Sequence, residues 1–254
     1  GVNISNDSWD LISTLENLID SADFSVDLAI YDIEEMRVAE ALARAKARGV
    51  RVRIVTDNHN RTDAGILDEK IWEAFRKADI TSIDDDGDVY LPNGEILDND
   101  LVNDGADMHH KFAVIDALSE NKNDDYVWTG STNLTYTGAY NTNNTIVIKD
   151  AEVAAVYLEE FEQMWGSDNE KPNPDRALFH KDKRDVSAHI FNVNGIKIEI
   201  YFAPINRDGT KPSVSDRIVE VINQEAQSDI RFQAFAITPN IPISKAIWNK
   251  SIDT

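Results

Sequence analysis

The run "MHHKFAVID" (residues 108–116) sets His109 two positions ahead of Lys111, at the start of an apolar, strand-like stretch that ends in Asp116. Alternation along a strand points side chains two apart to the same face, so His109 and Lys111 share a face and His110 takes the other. An imidazole can add to phosphorus while a neighbouring ammonium offsets the charge on the phosphate oxygens. A strand and a turn later, "TGSTN" supplies Ser131 and Asn133, a hydroxyl and an amide again two apart. Both can donate to non-bridging oxygens without adding charge, and Gly130 ahead of them permits close backbone approach. The competing reading of Ser131 and Asn133 is a turn that caps the next helix. For His110 the packing or supporting role is preferred.

These residues need a frame, and the chain alternates strand and helix around them. "NDSWDLISTLENLIDSA" carries Trp9, Ile12, Leu15, Leu18 and Ile19 at helical spacing behind Asn6 or Asp7 as N-cap. "FSVDLAIYD" reads as a strand, "EEMRVAEALARAKARG" as a helix closed by Gly49, and "VRVRIVTD" as a second strand. Another helix, "AGILDEKIWEAFRKA", and a short strand, "ITSID", follow. Three strands ("KFAVID", "YVWTGS", "NTIVIKD") and a closing helix ("AEVAAVYLEEFEQMWG", capped by Asp150) complete the unit near residue 166. The pattern predicts an α/β fold with a mixed, largely parallel sheet flanked by helices.

Composition narrows the chemistry. The net charge of −21, from 46 acidic and 25 basic residues, disfavours a nonspecific grip on nucleic-acid phosphates, which relies on lysine and arginine displacing counterions. It fits the solvated surface of a salt-tolerant or extracellular protein, so a secreted or periplasmic setting is preferred to the cytoplasm. The densest acidic block, "DDDGDVYLPNGEILDND" (84–100), lacks the ligand spacing of an EF-hand and is read as a flexible loop with an open option of holding a cation. The chain has no cysteine, which excludes disulfides and thiolate sites, and no apolar run long enough to span a bilayer.

"SDNEKPNPDR" (167–176) has the content of a linker. Beyond it, "QSDIRFQAFAIT" (227–238) overlays "SADFSVDLAIYD" (21–32), with an amphipathic helix before and after each. The expected organisation is one complete repeat over 1–166, a linker over 167–190, and the first part of a second repeat over 191–254.

"HHKFAVID", then "GSTN", then "NTNNTIVI" resembles the HKD motif of the phospholipase D superfamily, H-x-K-x4-D followed by G-S-x-N, as found in bacterial phospholipase D-like proteins. The resemblance covers residues 8–166 well and 196–250 in part. It implies that His109 forms a phosphohistidine, that Lys111, Ser131 and Asn133 serve the phosphate, and that Asp116 mainly holds the motif together. It also implies a phosphodiesterase that needs no metal and no cofactor. Phospholipid is the preferred substrate, as for a phospholipase D that hydrolyses or transfers head groups. A nuclease of the same superfamily and a non-catalytic phosphate-binding relative are the alternatives.

Two departures stand out. The family often places a carboxylate thirteen residues after the serine to orient the histidine, and here that position is Asn144. Only one H-x-K is present, since His59, His180 and His189 have no lysine two residues on. The resemblance therefore implies a second half-site, from sequence beyond Thr254 or from a homodimer partner.

Overall fold

The computed structural model describes residues 10–61, 69–99, 106–185, 188–203, 214–232, 234 and 236–252. Helix α1 (Leu11–Ser21) starts at Asp10, whose carboxylate accepts from the Ile12 and Ser13 amides at 2.9 and 3.5 Å. Asn6 and Asp7, expected as the cap, lie outside the described residues. Strand β1 (Ser25–Ile30), helix α2 (Met36–Ala47) and strand β2 (Arg51–Thr56) follow as the periodicity predicts. Gly49 has φ +91 just past α2, a left-handed position that favours glycine.

Helix α3 (Glu69–Lys77) leads to β3 (Ser82–Asp84), β4 (Val89–Tyr90) and β5 (Ile96–Leu97). Strands β6 (Lys111–Ile115) and β7 (Tyr126–Gly130), the short helix α4 (Tyr136–Tyr140), β8 (Thr145–Lys149) and helix α5 (Ala151–Trp165) complete the unit. The eight strands form one sheet in the order β5-β4-β3-β2-β1-β6-β7-β8. The sheet is mixed, as expected, but its parallel part is smaller than the sequence suggests. Only β1–β2 and β2–β3 pair in parallel among the described strands, and those from β6 onward pair antiparallel, β7 and β8 across the short helix α4.

Alternation along β1 sends Val26, Leu28 and Ile30 to one side, where α1, α2 and α3 pack with Leu15, Leu42 and Phe75. Ala29, with Val55 and Val114, faces the other side, against Val153, Phe161 and Trp165 of α5. Covered on both faces, β1 is buried throughout. Its charged Asp27 is neutralised inside that layer by Arg53, whose Nε lies 2.5 Å from Asp27 Oδ1, with both side chains fully buried. Arg53 is thus structural and not a substrate ligand.

The acidic block does not form a flexible loop. It is the β4–β5 hairpin with its preceding turn: Asp84 Oδ1 accepts from the Asp86 and Asp88 amides at 3.1 and 3.0 Å, and Tyr90 donates to Asp84 Oδ2 at 2.7 Å. No cluster of three or more metal-ligating side chains occurs among the described residues.

Residues 167–185 lie against the first unit: the Asn173 amide donates to Trp165 O, the Leu178 amide to Gln163 O, and Phe179 joins the core under α5. Strands β9 (Ile190–Val193) and β10 (Ile196–Glu199) make a separate antiparallel hairpin. Helix α6 (Val214–Glu220), a π-helical turn and helix α7 (Pro242–Ile252) follow. The helices expected on either side of 227–238 form, but the strand between them does not among the described residues. It has no neighbouring strand to satisfy its backbone groups, and Phe232 is left exposed. Among the described residues, no helix is long and apolar enough to cross a membrane.

Candidate active site

Because β1 and β6 run antiparallel, with Ile30 opposite Lys111, the end of β1 meets the start of β6. The β6–β7 pairing sets Phe112 opposite Thr129 and so delivers the "GSTN" loop to the same edge. A bridge between Ile33 and Leu134, with the Leu134 amide donating to Asp32 O at 3.0 Å, fastens that loop to the chain leaving β1. His109, Lys111, Ser131 and Asn133 are therefore gathered outside the carboxyl ends of β1 and β2, the usual place for a ligand in an α/β sheet.

His109 is exposed at the mouth of the strand, and its ring packs on Tyr31 with centroids 4.4 Å apart. Burial of part of the ring and the charge of Lys111 hold its pKa below the ordinary histidine value. At neutral pH the ring is thus uncharged, the form of imidazole that could attack phosphorus. Lys111 is buried, with Nζ 4.8 Å over the Tyr31 ring and donating to His109 O at 3.1 Å. Desolvation lowers the Lys111 ammonium to about 8, against the pull of Asp32, Asp57 and Asp107.

Ser131 Oγ donates to Asn143 Oδ1 at 3.1 Å and accepts from the Asn144 amide at 3.0 Å. The approach is tight: a Cβ on Gly130 would lie 2.1 Å from Asn144 O. Asn133 is half-buried, and its Oδ1 has no hydrogen-bond partner among the described residues. Neither residue caps α4. Thr135 does so, accepting from the Gly138 amide at 2.9 Å.

Two of the expected site residues are not brought to His109. Asp116 sits at the far end of β6, with the whole five-residue strand between them, roughly 20 Å away. There its carboxylate accepts from the Asp23, Phe24 and Ser25 amides at 3.0, 2.7 and 2.9 Å. It ties the start of β1 to the end of β6. Asn144 is exposed, and its hydrogen bonds run through its backbone, so its amide does not orient the His109 ring.

The geometry also adds residues that spacing alone does not single out. Tyr31 ends β1 and Asp57 ends β2, and between them they organise the edge. Asp57 Oδ2 accepts from the Met108 amide at 2.7 Å, while its Oδ1 accepts from the amide and Nδ1 of His59 at 2.8 and 2.7 Å. His59 in turn stacks on Tyr31, with centroids 4.3 Å apart. The legible signal was positional: both Tyr31 and Asp57 directly follow parallel strands.

The family model described as "Cardiolipin synthase, PLD-like domain" matches residues 15–165, which include β1 through α5 and every residue of this edge. The chain belongs to the PLD-like domain family. Mitochondrial cardiolipin hydrolase of Homo sapiens is 29% identical over 174 residues, covering 68% of this chain and 56% of the relative. The Xenopus tropicalis protein of that name is 29% identical over 154 residues, 60% of each. The chain thus spans little more than half the length of the curated relatives it matches. Among solved structures, the phospholipase D family member Nuc of Salmonella typhimurium superposes with a TM-score of 0.46 at 25% identity, covering 61% of this chain and 86% of Nuc. For this PLD-like chain, the edge holding His109 and Lys111 is the place to look for chemistry.

Proposed function

We propose that the protein is a phosphodiesterase that works through a phosphohistidine on His109, with phospholipid head-group esters as its substrate. The observation that carries this reading is the pairing of an exposed, unprotonated imidazole with a buried ammonium two residues on. An imidazole nitrogen attacks phosphorus while Lys111 balances the charge that builds on the non-bridging oxygens. On this reading Ser131 and Asn133 approach the phosphate from the β7 side, where the Asn133 amide adds a neutral donor.

Support for lipid comes from three sides. The relatives that match over most of this domain are cardiolipin hydrolases by name. Asp32, Asp57 and Asp107 surround Lys111, so the site's field opposes an extended polyanion more than a single diester. Tyr136 and Tyr140, 69% and 52% exposed, project from α4 directly after the "GSTN" loop, and amphipathic rings of this kind suit a lipid–water boundary.

The test is turnover of phosphatidylcholine and cardiolipin vesicles, beside single- and double-stranded DNA, by the protein and by His109→Ala. Release of lipid head group that disappears in the variant, with an acid-labile phosphate adduct on His109, is the expected result. Cleavage of DNA alone would replace the lipid reading with a nuclease. No turnover and no adduct with any diester would make the chain a phosphate-binding relative.

A further inference from the structure

Toward its β5 margin the sheet extends past the helices that cover it, and a cavity opens there. The pairings of Ser82 with Tyr90 and of Tyr90 with Ile96 set these three residues in one cross-strand row, on the face where Tyr90 packs against the core under α1–α3. Helix α3 lies over the middle of the row: Trp72 stacks on Tyr90 with centroids 5.0 Å apart, and Phe75 meets Trp72 edge-on at 5.4 Å. A filled row would carry a large apolar residue at Ser82, and a helix would cover Ile96, which is instead 52% exposed. What is left is a cavity of about 320 Å³, walled by Trp72, Phe75, Ile80, Tyr90, Leu91 and Ile96.

The walls are fixed by bonds of their own, so the space is preformed. Tyr90 donates to Asp84 Oδ2 at 2.7 Å, which anchors its ring. The turn from β4 to β5 is closed by the Gly94 amide on Leu91 O and the Leu91 amide on Glu95 O, both at 2.9 Å. Arg76 and Glu95, both exposed, stand at the mouth. Glu73, on the same helix as Arg76, is engaged by Lys77 at 2.6 Å. The mouth thus offers a guest one cation and one anion. Trp72 adds a buried indole N–H that has no hydrogen-bond partner among the described residues, a donor that an acceptor on a guest would satisfy. None of these residues belongs to the His109 edge.

We propose that this cavity is a second binding site, which takes a single-chain zwitterionic phospholipid of the lysophosphatidylcholine class. The alkyl chain fills the apolar space between α3 and the β4–β5 hairpin, while Arg76 meets the phosphate and Glu95 the quaternary ammonium. Size sets the number of chains: small-molecule sites run from roughly 300 to 1,000 Å³, and a space at the lower limit holds one chain and not the two of a diacyl lipid. The site is separate from the phosphodiesterase reading and does not depend on it.

Calorimetric titration with lysophosphatidylcholines of increasing chain length, each below its micelle concentration, tests the proposal. One molecule per protein chain should bind, with affinity rising about fourfold per added methylene and levelling off once the cavity is full. Ile96→Ser, at an exposed position that leaves the core intact, should weaken binding about fivefold. Arg76→Ala should weaken it about threefold, while leaving the affinity for an alkyl maltoside of the same chain length unchanged. His109→Ala should bind as the unaltered protein does, so a failure of lipid turnover would leave this result standing. Loss of binding in His109→Ala would place the lipid at the catalytic edge and overturn the proposal. An affinity that rises without a plateau, or that ignores both Ile96→Ser and Arg76→Ala, is surface adsorption and overturns it too, as does the absence of binding. Phosphatidylcholine vesicles that bind with sensitivity to both variants, when the monomers do not bind, would make this margin a bilayer contact and overturn the single-chain assignment.

Discussion

His109 and His110 are neighbours in the chain and opposites in surroundings. Strand alternation sends His109 to an open edge, where it meets an aromatic plate, a depressed lysine and the Asp57–His59 pair. It sends His110 inward, where its Nε2 lies 2.9 Å from Glu160 Oε1 and 2.8 Å from Lys183 Nζ. Lys183 also reaches Glu160 Oε1 and donates to Ala203 O at 3.2 Å. The edge keeps titratable groups accessible and pushes their protonation states apart. The interior uses the same group types to close a charge cluster: burial works to raise the Glu160 carboxyl, yet His110 and Lys183 hold it below its usual range. The difference teaches that one strand can carry chemistry on one side and an ionic staple on the other, and substitutions should separate the two.

The staple should give the largest stability effect. Lys183→Met leaves the Glu160 carboxylate, 3% exposed, without its cation. Breaking a buried pair from one side costs about 3–5 kcal/mol, and His110 as remaining partner places the expected loss near the lower end. Urea unfolding followed by tryptophan fluorescence measures it. Lys183→Met combined with Glu160→Leu should recover most of the loss, because the uncompensated charge is then gone. A small loss in the single variant would mean that residues 177–183 are not fastened beneath the motif as the structure shows. The pH dependence has a definite sign: the Glu160 contribution is full above its unfolded pKa and declines as pH falls through the lower folded one.

How far the sequence discloses these two sides follows from the range over which each is encoded. His109, Lys111, Ser131 and Asn133 are legible because strand period and local spacing fix their faces within a few residues. The helices α1, α2 and α5 are legible from apolar periodicity for the same reason. Lys183 lies 73 positions from its His110 partner, in a proline- and charge-rich stretch with the composition of a linker. Nothing local marks it as a core cation. Tyr31 and His59 are hidden differently, because they meet only where two parallel strands end side by side. The strand expected over 227–238 shows the converse: an alternating apolar pattern is permissive, and without a partner strand it does not form a ladder.

Asp116 tests the structural end of β6 against its chemical end. Asp116→Ala strands three amide donors at the start of β1. An unsatisfied buried donor costs about 1–3 kcal/mol, and with some of the three regaining water a total loss of about 2–3 kcal/mol is expected. The rate per folded molecule should hold, because the substitution is a strand length from His109. A variant that stays folded yet loses turnover would return Asp116 to the chemistry.

At the chemical end, Lys111 sets an alkaline limit. Its ammonium is the form that offsets phosphate charge, and with a pKa of about 8 it is lost as pH rises through that value. A plot of kcat/KM against pH should therefore fall above pH 8, by about tenfold per pH unit. Lys111→Arg keeps its charge across the range and should abolish this limb while lowering the maximum, since a planar fork does not replace a compact ammonium. An unchanged limb in that variant would assign the titration to another group.

The smallest effect is expected at the position that the family pattern makes conspicuous. Asn144 stands where a carboxylate often orients the nucleophile, yet here it acts through its backbone, accepting from the Ser131 amide at 3.0 Å and donating to Ser131 Oγ at 3.0 Å. Asn144→Ala keeps both bonds, so stability should move by less than about 0.5 kcal/mol and turnover hardly at all. Its neighbour supplies the control. Asn143 accepts from Ser131 Oγ at 3.1 Å and donates to Gly138 O at 2.7 Å, joining the "GSTN" loop to α4. Asn143→Ala removes both and should cost about 1–2 kcal/mol, with a rise in KM as the Ser131 hydroxyl loses its orientation. If Asn144→Ala instead lowers kcat and shifts the acid limb set by His109, the amide does reach the imidazole during turnover, and the orienting role expected from its position holds after all.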